Sequence, residues 1–214
     1  MADLRSGTYG NYYGSRWGYS EPLTEAEMKV NGVYIYSALL DAGWSINAIA
    51  GMLGNMQAES SLNPGRWQSD DPFNLSLGFG LVQWTPSNKY TEWCSEQGLT
   101  DPTQMDHNLA RIKYEVENNL QWIATSTYGF SFKEFTKSTK TVSDLAKAFL
   151  LNYERPADQT QSVQIYRASL AEQWYTILTG QTPSQPGSSS GSGSGKKKKF
   201  KFVIFNQRRK QWIR

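Results

Sequence analysis

The sequence predicts an α+β fold that is mainly α-helical and carries a small antiparallel β patch beside a cleft. Three observations support this prediction. Apolar residues recur at helical spacing after a capping box formed by Thr24 and Glu27. This spacing stops at residues 65–86, where glycines and alternating apolar and polar residues indicate short strands. Helical spacing then returns to the end of a segment of about 160 residues, which is long enough for one sizeable core.

The first two predicted helices have clear start and stop signals. The first follows Thr24 and ends at Gly43, because glycine readily adopts the left-handed conformation that ends a helix. Ser45 caps the second helix, which runs from Ile46 to about Ser60 and is broken by Asn-Pro-Gly at 63–65. Further helices are expected at about 87–97, 106–125, 131–137, 142–153 and 163–179.

Composition divides the 214 residues into four parts. Residues 1–20 are expected to form an irregular N-terminal arm, and residues 21–180 form the main domain. Residues 181–195, QTPSQPGSSSGSGSG, have the composition of a flexible Gly/Ser linker. Residues 196–214 form a tag with nine lysines and arginines and no acid, and their alternating pattern predicts a β-hairpin. Without this tag, 13 basic and 19 acidic residues remain, a net charge of −6.

The composition also excludes several classes of protein. No run approaches the roughly 20 apolar residues of a membrane span, and the N-terminus lacks the apolar stretch of a secretory signal. One cysteine, Cys94, and one histidine, His107, allow no intramolecular disulfide and make a zinc site very unlikely. We therefore expect no metal and no cofactor. The basic tag would suit nucleic acid, but its strand-like alternation favours docking on partner subunits, so no nucleic-acid partner is expected.

Glu59 is the first candidate for chemistry. It follows Met56 by three residues and Met52 by seven, so it leans towards the apolar face of the second helix. It also lies in the last turn, where the helix dipole disfavours a negative charge. Both conditions favour the protonated carboxyl that a general acid needs. The alternative is a glutamate at a helix end that bends into solvent.

The segment LGFGLVQW at 77–84 is the second candidate. Gly78 and Gly80 would let a substrate approach the backbone closely, and Gln83 would hydrogen-bond acetamido or hydroxyl groups. Aromatic rings stack on the apolar faces of sugars, and the candidates for this role are Trp67, Phe79 and Trp84. The alternative is a hairpin whose aromatic side chains fill the core.

Together, GNMQAESSLNPG at 54–65 and GFGLVQW at 78–84 resemble the phage tail lysozyme family. The closest resemblance is to the cell-wall-degrading tail-knob proteins of short-tailed phages that infect Gram-positive bacteria. It covers roughly residues 24–180, and more distant similarity extends to goose-type lysozymes and lytic transglycosylases. The other segments that carry it are EMKVN at 27–31, AGWS at 42–45, SLGFGLVQWTP at 76–86, KSTKT at 137–141 and NYERPA at 152–157. The resemblance implies a lysozyme-like fold.

The resemblance also implies that Glu59 is the catalytic acid and that Gln83 and Tyr153 line the cleft near it. A retaining or inverting glycosidase of the usual kind needs a second carboxylate. Asp70 and Asp71 follow Glu59 by eleven and twelve residues and are candidates, although a solvated turn explains them equally well. Relatives with this layout often work with a single glutamate.

Glu154 and Arg155, in the segment NYERPA, are the remaining charged candidates. An adjacent glutamate and arginine before a proline at a helix end usually form a structural ion pair or a cap. A position in the cleft wall is the alternative.

The predicted function is that of a phage tail-associated lysozyme, which cleaves the β-1,4 bond between N-acetylmuramic acid and N-acetylglucosamine of host peptidoglycan during entry. Hydrolysis is favoured over formation of an anhydro product. The alternatives are a lytic transglycosylase, an endolysin for host lysis, and a non-catalytic sugar-binding structural tail protein. The expected partners are peptidoglycan glycan strands and other tail or knob subunits, which would bind the N-terminal arm and the C-terminal tag. The expected location is the tail tip or knob of the virion.

Overall fold

The computed structural model describes residues 2–183. Its strands and α-helices are β1 (Asp3–Gly7), β2 (Gly10–Gly14), α1 (Glu25–Asp41), α2 (Ile46–Ser60), α3 (Asn88–Glu96), α4 (Met105–Glu117), α5 (Phe132–Lys137), α6 (Val142–Phe149) and α7 (Gln161–Thr179). Most of the predicted linker at 181–195 and the whole tag at 196–214 lie outside the described residues. Within residues 2–183, no helix is both long and apolar enough to cross a bilayer.

Helix α2 lies at the centre of the molecule and is buried over most of its length. It packs most extensively on α7 and α6, which also pack on each other. Two glycines permit this close approach. A Cβ at Gly51 would lie 3.0 Å from the backbone nitrogen of Ala146 in α6, and a Cβ at Gly54 would lie 2.5 Å from that of Ala171 in α7. The position of α2 is therefore fixed by two neighbouring helices.

The first two helices begin and end as predicted. Thr24 and Glu27 form the capping box at the start of α1, each side chain bonding the backbone of the other residue. The Ser45 hydroxyl accepts a hydrogen bond of 3.1 Å from a backbone N–H in the first turn of α2. Helix α2 ends at Ser60, because Ser61 adopts the left-handed conformation with φ of 54°.

Helix α4 is shorter than predicted. It ends at Glu117, whereas helical spacing predicted a helix over 106–125. Asn119 and Gln121 adopt positive φ angles of 52° and 64°, which no α-helix accommodates. The chain beyond α4 is irregular and returns towards the cleft described below.

The β patch predicted at residues 65–86 consists of two isolated antiparallel bridges. Phe79 pairs with both Trp67 and Trp84, and the backbones of Phe79 and Trp84 exchange hydrogen bonds of 3.1 and 3.2 Å. A short 3-10 turn, Gln68–Asp70, lies within the same segment. The α+β, lysozyme-like class is confirmed, although the regular sheet within residues 2–183 lies elsewhere.

That sheet is formed by the N-terminal residues, for which an irregular arm was predicted, so this prediction is wrong. Strands β1 and β2 form an antiparallel hairpin in which Asp3 lies opposite Gly14 and Gly7 opposite Gly10. Their sequences, DLRSG and GNYYG, contain few apolar residues. Strand formation here depends on contacts with the helices rather than on a local pattern.

The hairpin is fastened to the helical domain by one buried ring and two asparagines. Tyr12 is only 1% exposed and belongs to the core. Asn31 of α1 accepts a hydrogen bond from the backbone N–H of Tyr13 and donates one to its carbonyl, each of 2.7 Å. Asn63, just beyond α2, accepts one from the N–H of Ser15 at 3.0 Å. The hairpin is therefore part of the domain.

Candidate active site

An open cleft of about 430 Å³ lies at the C-terminal end of α2. It is lined by Glu59, Arg66, Trp67, Gln68, Ser69, Gln83, Thr85, Glu154, Arg155, Pro156 and Ala157. A second depression of about 250 Å³ shares Gln83, Thr85, Glu154 and Arg155 with the first. The two depressions therefore adjoin at these four residues and together make up the groove.

Glu59 lines this cleft from the last turn of α2, and its side chain is 21% exposed. Its Oε1 accepts a hydrogen bond from Nη2 of Arg167, which lies on α7. Nη1 of the same guanidinium donates to the carbonyl of Asn55 at 2.8 Å. Gly54 permits this arrangement, because α7 passes directly over it. Glu59 thus faces a cation instead of the apolar surroundings predicted.

Glu154 lines the same cleft at the end of a π-helical turn, Leu150–Glu154. Such turns occur frequently at functional sites. Its Oε1 is buried and has no hydrogen-bond partner among the described residues. Burial, together with the negative charge of Glu59, raises the pKa of Glu154 well above its ordinary value, while Arg167 acts in the opposite direction. The surroundings of Glu154 therefore favour the neutral acid.

Arg155 forms no hydrogen bond or salt bridge with Glu154 in the part of the chain that the structure describes. It adopts the left-handed conformation, with φ of 48°. Its guanidinium donates to the backbone carbonyls of Gln121 and Asn152 instead. Glu154 and Arg155 both lie in the cleft wall, which was the alternative to a structural ion pair or cap.

A buried hydrogen-bond network on α4 supports the π-helical turn. Glu115 is 1% exposed, and its Oε1 accepts hydrogen bonds from Nε1 of Trp84 at 3.0 Å and Nε of Arg111 at 2.9 Å. Its Oε2 accepts one from the Tyr153 hydroxyl at 2.5 Å. Burial raises the pKa of Glu115, although all three donors oppose this shift. Because Tyr153 directly precedes Glu154, the network fixes the backbone that carries Glu154.

Gln83 lines both depressions. Its Nε2 donates to the carbonyls of Gly80 at 2.8 Å and Arg66 at 3.1 Å. These bonds hold the side-chain amide in one orientation and commit its nitrogen to the protein. The carbonyl oxygen of Gln83 is then the atom that would accept hydrogen bonds from a substrate.

Asp70 and Asp71, the predicted second carboxylates, are exposed and lie outside the cleft lining. Oδ1 of Asp70 forms a salt bridge of 2.6 Å with Nη1 of Arg66. Oδ2 of Asp71 accepts a hydrogen bond of 2.8 Å from Asn74. The structure does not bring either aspartate into the cleft with Glu59, and a solvated turn describes their surroundings.

The aromatic side chains predicted to stack on sugars belong to the core. Trp67 and Phe79 have no exposed surface, and Trp84 is 4% exposed. Tyr153, which was expected to line the cleft rather than to stack on sugars, is 1% exposed. Phe79 packs on Trp67 with ring centroids 4.4 Å apart, and Tyr153 stacks on Phe149 at 4.5 Å. The predicted stacking role is therefore wrong, because no ring offers a free face. Trp67, Trp84 and Tyr153 still form part of the groove wall.

Gly80, in the segment at 77–84, has a packing role. At Gly80, which has φ of +84°, a Cβ would lie 2.7 Å from Oδ1 of Asn108 and 2.9 Å from the Trp84 ring. Asn108 Oδ1 also accepts a hydrogen bond from the backbone N–H of Leu81 at 3.0 Å. Close approach of the backbone to α4, rather than to a substrate, explains the glycine.

Arg167 and Glu115 were not predicted as site residues, although the sequence contains a pattern that indicates that each is buried. Each is a charged residue on an apolar helix face. Arg167 precedes the buried residues Ala171 and Trp174 by four and seven positions, and Glu115 follows the buried Ile112 by three. Charges at such positions are buried only when a partner is supplied by another element.

The domain is mainly helical, contains a bridged β segment, and has a carboxyl group at the end of its central helix that faces a groove. These features define a lysozyme-like domain. The chain matches the phage tail lysozyme family over residues 30–178, and it belongs to that family. It is similar to morphogenesis protein 1 of Bacillus phage B103, with 53% identity over 159 residues. This match covers 74% of the chain and 42% of that relative, so the chain spans less than half of the relative's length.

Proposed function

We propose that this protein is a tail-associated lysozyme that hydrolyses the glycan strands of host peptidoglycan, with Glu59 as the general acid. The bond proposed is the β-1,4 linkage between N-acetylmuramic acid and N-acetylglucosamine. The observation that carries the proposal is the position of Glu59, partly exposed in an open cleft at the end of α2 in a domain of this family. Membership of the family supports the substrate class.

The shape of the groove supports a polymeric substrate. The groove continues on either side of Gln83 and Glu154, so a strand could extend beyond the bond that is cleaved. Its lining includes amide, hydroxyl and guanidinium groups, which suit the hydroxyl and acetamido groups of amino sugars. Its buried aromatic rings contribute shape rather than stacking.

The contact with Arg167 imposes a condition on this mechanism. A general acid must carry a proton when the glycosidic bond breaks. Oε1 of Glu59 is occupied by the Arg167 guanidinium in the free enzyme, so Oε2 is the atom that would carry a proton to the glycosidic oxygen.

We further propose that the protein works from the virion, at the tail tip or knob, together with other tail subunits. The name of the similar Bacillus phage protein, morphogenesis protein 1, supports a role in the particle. An endolysin, released only at host lysis, is the alternative. Zymography of purified particles in a gel that contains cell wall distinguishes the two, because an endolysin would give no clearing band.

The glycan-cleaving function is tested by replacing Glu59→Gln. We expect wild-type protein to clear Gram-positive cell walls and release reducing ends, and the variant to lose this activity by about 10²-fold or more while keeping its fold. The matched control is Glu172→Gln, a partly buried glutamate in a separate groove between α1 and α7. Undiminished wall clearing by the Glu59 variant would contradict the assignment.

Mass spectrometry of the released fragments tests the reaction type in the same experiment. Hydrolysis adds one water to each cleaved bond, whereas a lytic transglycosylase leaves ends that are lighter by one water. We expect hydrated ends.

A further inference from the structure

One carboxyl group in the cleft has no part in the mechanism proposed above. Glu154 lines both depressions of the groove, and its buried Oε1 has no partner among the described residues. The charged groups that face it come from several elements: Glu59 of α2, Glu115 of α4, Arg167 of α7, and its neighbour Arg155. A buried polar atom without a partner disfavours folding, so its presence beside a cleft calls for a ligand or a reaction.

The two carboxyl groups of the cleft differ in their hydrogen-bond partners. Glu59 accepts a hydrogen bond from the guanidinium of Arg167. Glu154 receives no donor at its buried oxygen, and burial favours the neutral acid. Two neighbouring carboxyls whose negative charges oppose each other hold one proton more readily than none. Such a difference between paired groups is the basis for assigning acid and base roles.

We propose that Glu154 is a second catalytic carboxyl group and that it shares one proton with Glu59. This inference rests on the proposed glycan-cleaving function. It assigns to Glu154 the role for which Asp70 and Asp71 were candidates.

The reaction then returns the enzyme to its starting state. At rest, Glu154 is protonated and Glu59 is ionised. When a glycan strand fills the groove, the proton passes to Glu59, which donates it to the glycosidic oxygen as the C–O bond breaks. A water molecule forms the new C–O bond at the anomeric carbon and gives its proton to the Glu154 carboxylate. The products are a reducing end and an alcohol, and the pair again holds one proton on Glu154.

The variant Glu154→Gln separates a catalytic role from a structural one. Glutamine has the size and neutrality of a protonated glutamate, so a structural role should tolerate it, but it cannot transfer the proton. We expect kcat on soluble glycan fragments to fall by about 10²- to 10⁴-fold with KM nearly unchanged. The control Glu172→Gln removes another partly buried glutamate of raised pKa, outside the cleft, and should leave kcat unchanged.

The pH profile provides a readout that a structural role would not move. In the wild type, the alkaline limb of kcat/KM reports loss of the shared proton from Glu154. Glu154→Gln lacks this group, so the alkaline limb of the residual activity should shift away from its wild-type position.

The outcomes separate this inference from the proposed function. A Glu154 variant with kcat within about threefold of wild type, beside an inactive Glu59 variant, overturns the inference alone. An active Glu59 variant overturns the proposed function. Loss of activity in both variants, together with a shifted alkaline limb in Glu154→Gln, supports the proposed function and the inference.

A second measurement decides the matter if Glu154→Gln fails to fold. Carbon-13 NMR of glutamate carboxyls in the wild-type protein should detect Glu115 and Glu172 titrating above the usual value of about 4.3, and Glu154 titrating well above it. In Glu59→Gln the Glu154 midpoint should fall, because the variant removes the negative charge that raises the pKa of Glu154. A midpoint that does not move overturns the shared proton.

Discussion

Glu59 and Glu154 carry the same functional group in different electrostatic surroundings, and the difference arises from their partners. A guanidinium on α7 reaches Glu59, whereas the buried oxygen of Glu154 receives no donor. The protein thereby places a carboxyl group paired with a cation and a buried carboxyl group of raised pKa in one cleft of about 430 Å³. Neither arrangement follows from the residue type alone, because both depend on which groups the fold brings near.

The raised pKa of Glu154 predicts a pH dependence of folding stability. The folded protein binds the Glu154 proton over the range from the unfolded pKa, about 4.3, up to the raised folded pKa. This stabilisation is fully present below the unfolded pKa and is lost as the pH rises through the folded pKa. Relative to Glu154→Gln, the wild type should therefore lose free energy of unfolding as the pH rises above about 4.3, by up to about 1.4 kcal/mol per pH unit, until the pH passes the raised folded pKa.

Urea unfolding of both proteins at a series of pH values measures this difference. The exposed control Glu96→Gln should differ from wild type by nearly the same amount at every pH. A constant difference for the Glu154 variant would contradict the raised pKa.

Individual site residues were predictable only where a local pattern identifies them. Glu59 and Gln83 lie in motifs that resemble a known family, and both line the cleft. Arg167 and Glu115 were missed because their burial depends on distant elements that supply their partners. The stacking role assigned to Trp84 failed because composition does not tell a cleft aromatic from a core aromatic, and here its ring is buried.

At the scale of elements, the packing of α2 against α7 determines the geometry of the site. Gly54 allows α7 to approach so closely that the Arg167 guanidinium reaches both Asn55 and Glu59. Asn55 also donates to the carbonyl of Ala146 on α6 at 3.0 Å, so the end of α2 is bound on two sides. A change in helix spacing here should alter both stability and catalysis.

Gly54→Ala tests this link. The new Cβ would lie 2.5 Å from the backbone nitrogen of Ala171 and 2.7 Å from the carbonyl of Arg167, so α7 must move away. We expect unfolding free energy to fall by about 1–3 kcal/mol through overpacking, despite a gain of roughly 1 kcal/mol in helix propensity, and we expect kcat to fall as Arg167 leaves Glu59. The control Gly129→Ala meets its nearest atom at 3.8 Å and should change neither quantity. A stable and fully active Gly54 variant would show that the spacing is not critical.

The boundaries of a helix or strand could be predicted where nearby residues set them, and not where contacts with distant parts of the chain set them. The boundaries of α1 and α2 follow from caps within a few residues, and both were predicted. The end of α4 was not, because its apolar spacing continues while the backbone turns away at Asn119. The π-helical turn before Arg155 also escaped prediction, since its backbone is set by hydrogen bonds to Glu115 and Gln121.

At the scale of the whole molecule, the N-terminal hairpin extends the lysozyme domain beyond the region that defines the family. The family match begins at residue 30, whereas the hairpin occupies residues 3–14. It nevertheless bonds to Asn31 inside the matched region, and Tyr12 enters the same core as the helices. A segment for which an assembly arm was predicted thus contributes to the core of the domain.

Deletion of residues 2–14 distinguishes a folded hairpin from an arm. The deletion removes the buried Tyr12 ring and leaves the amide of Asn31 without its two bonds to Tyr13. By comparison with the loss of one core aromatic, we expect unfolding free energy to fall by roughly 3–5 kcal/mol. Urea unfolding of the deletion variant at fixed pH is the measurement.

The control for this deletion removes a hairpin contact that is exposed. Arg16→Ala breaks a salt bridge to Asp3 in which both side chains are accessible to solvent, and exposed pairs contribute about 0–1 kcal/mol. We expect this variant to unfold at nearly the same urea concentration as wild type. An independent assembly arm would give a different result, because its deletion would leave unfolding unchanged. Equal stability of the deletion variant and the wild type would therefore restore the arm and contradict the role of the hairpin in the core.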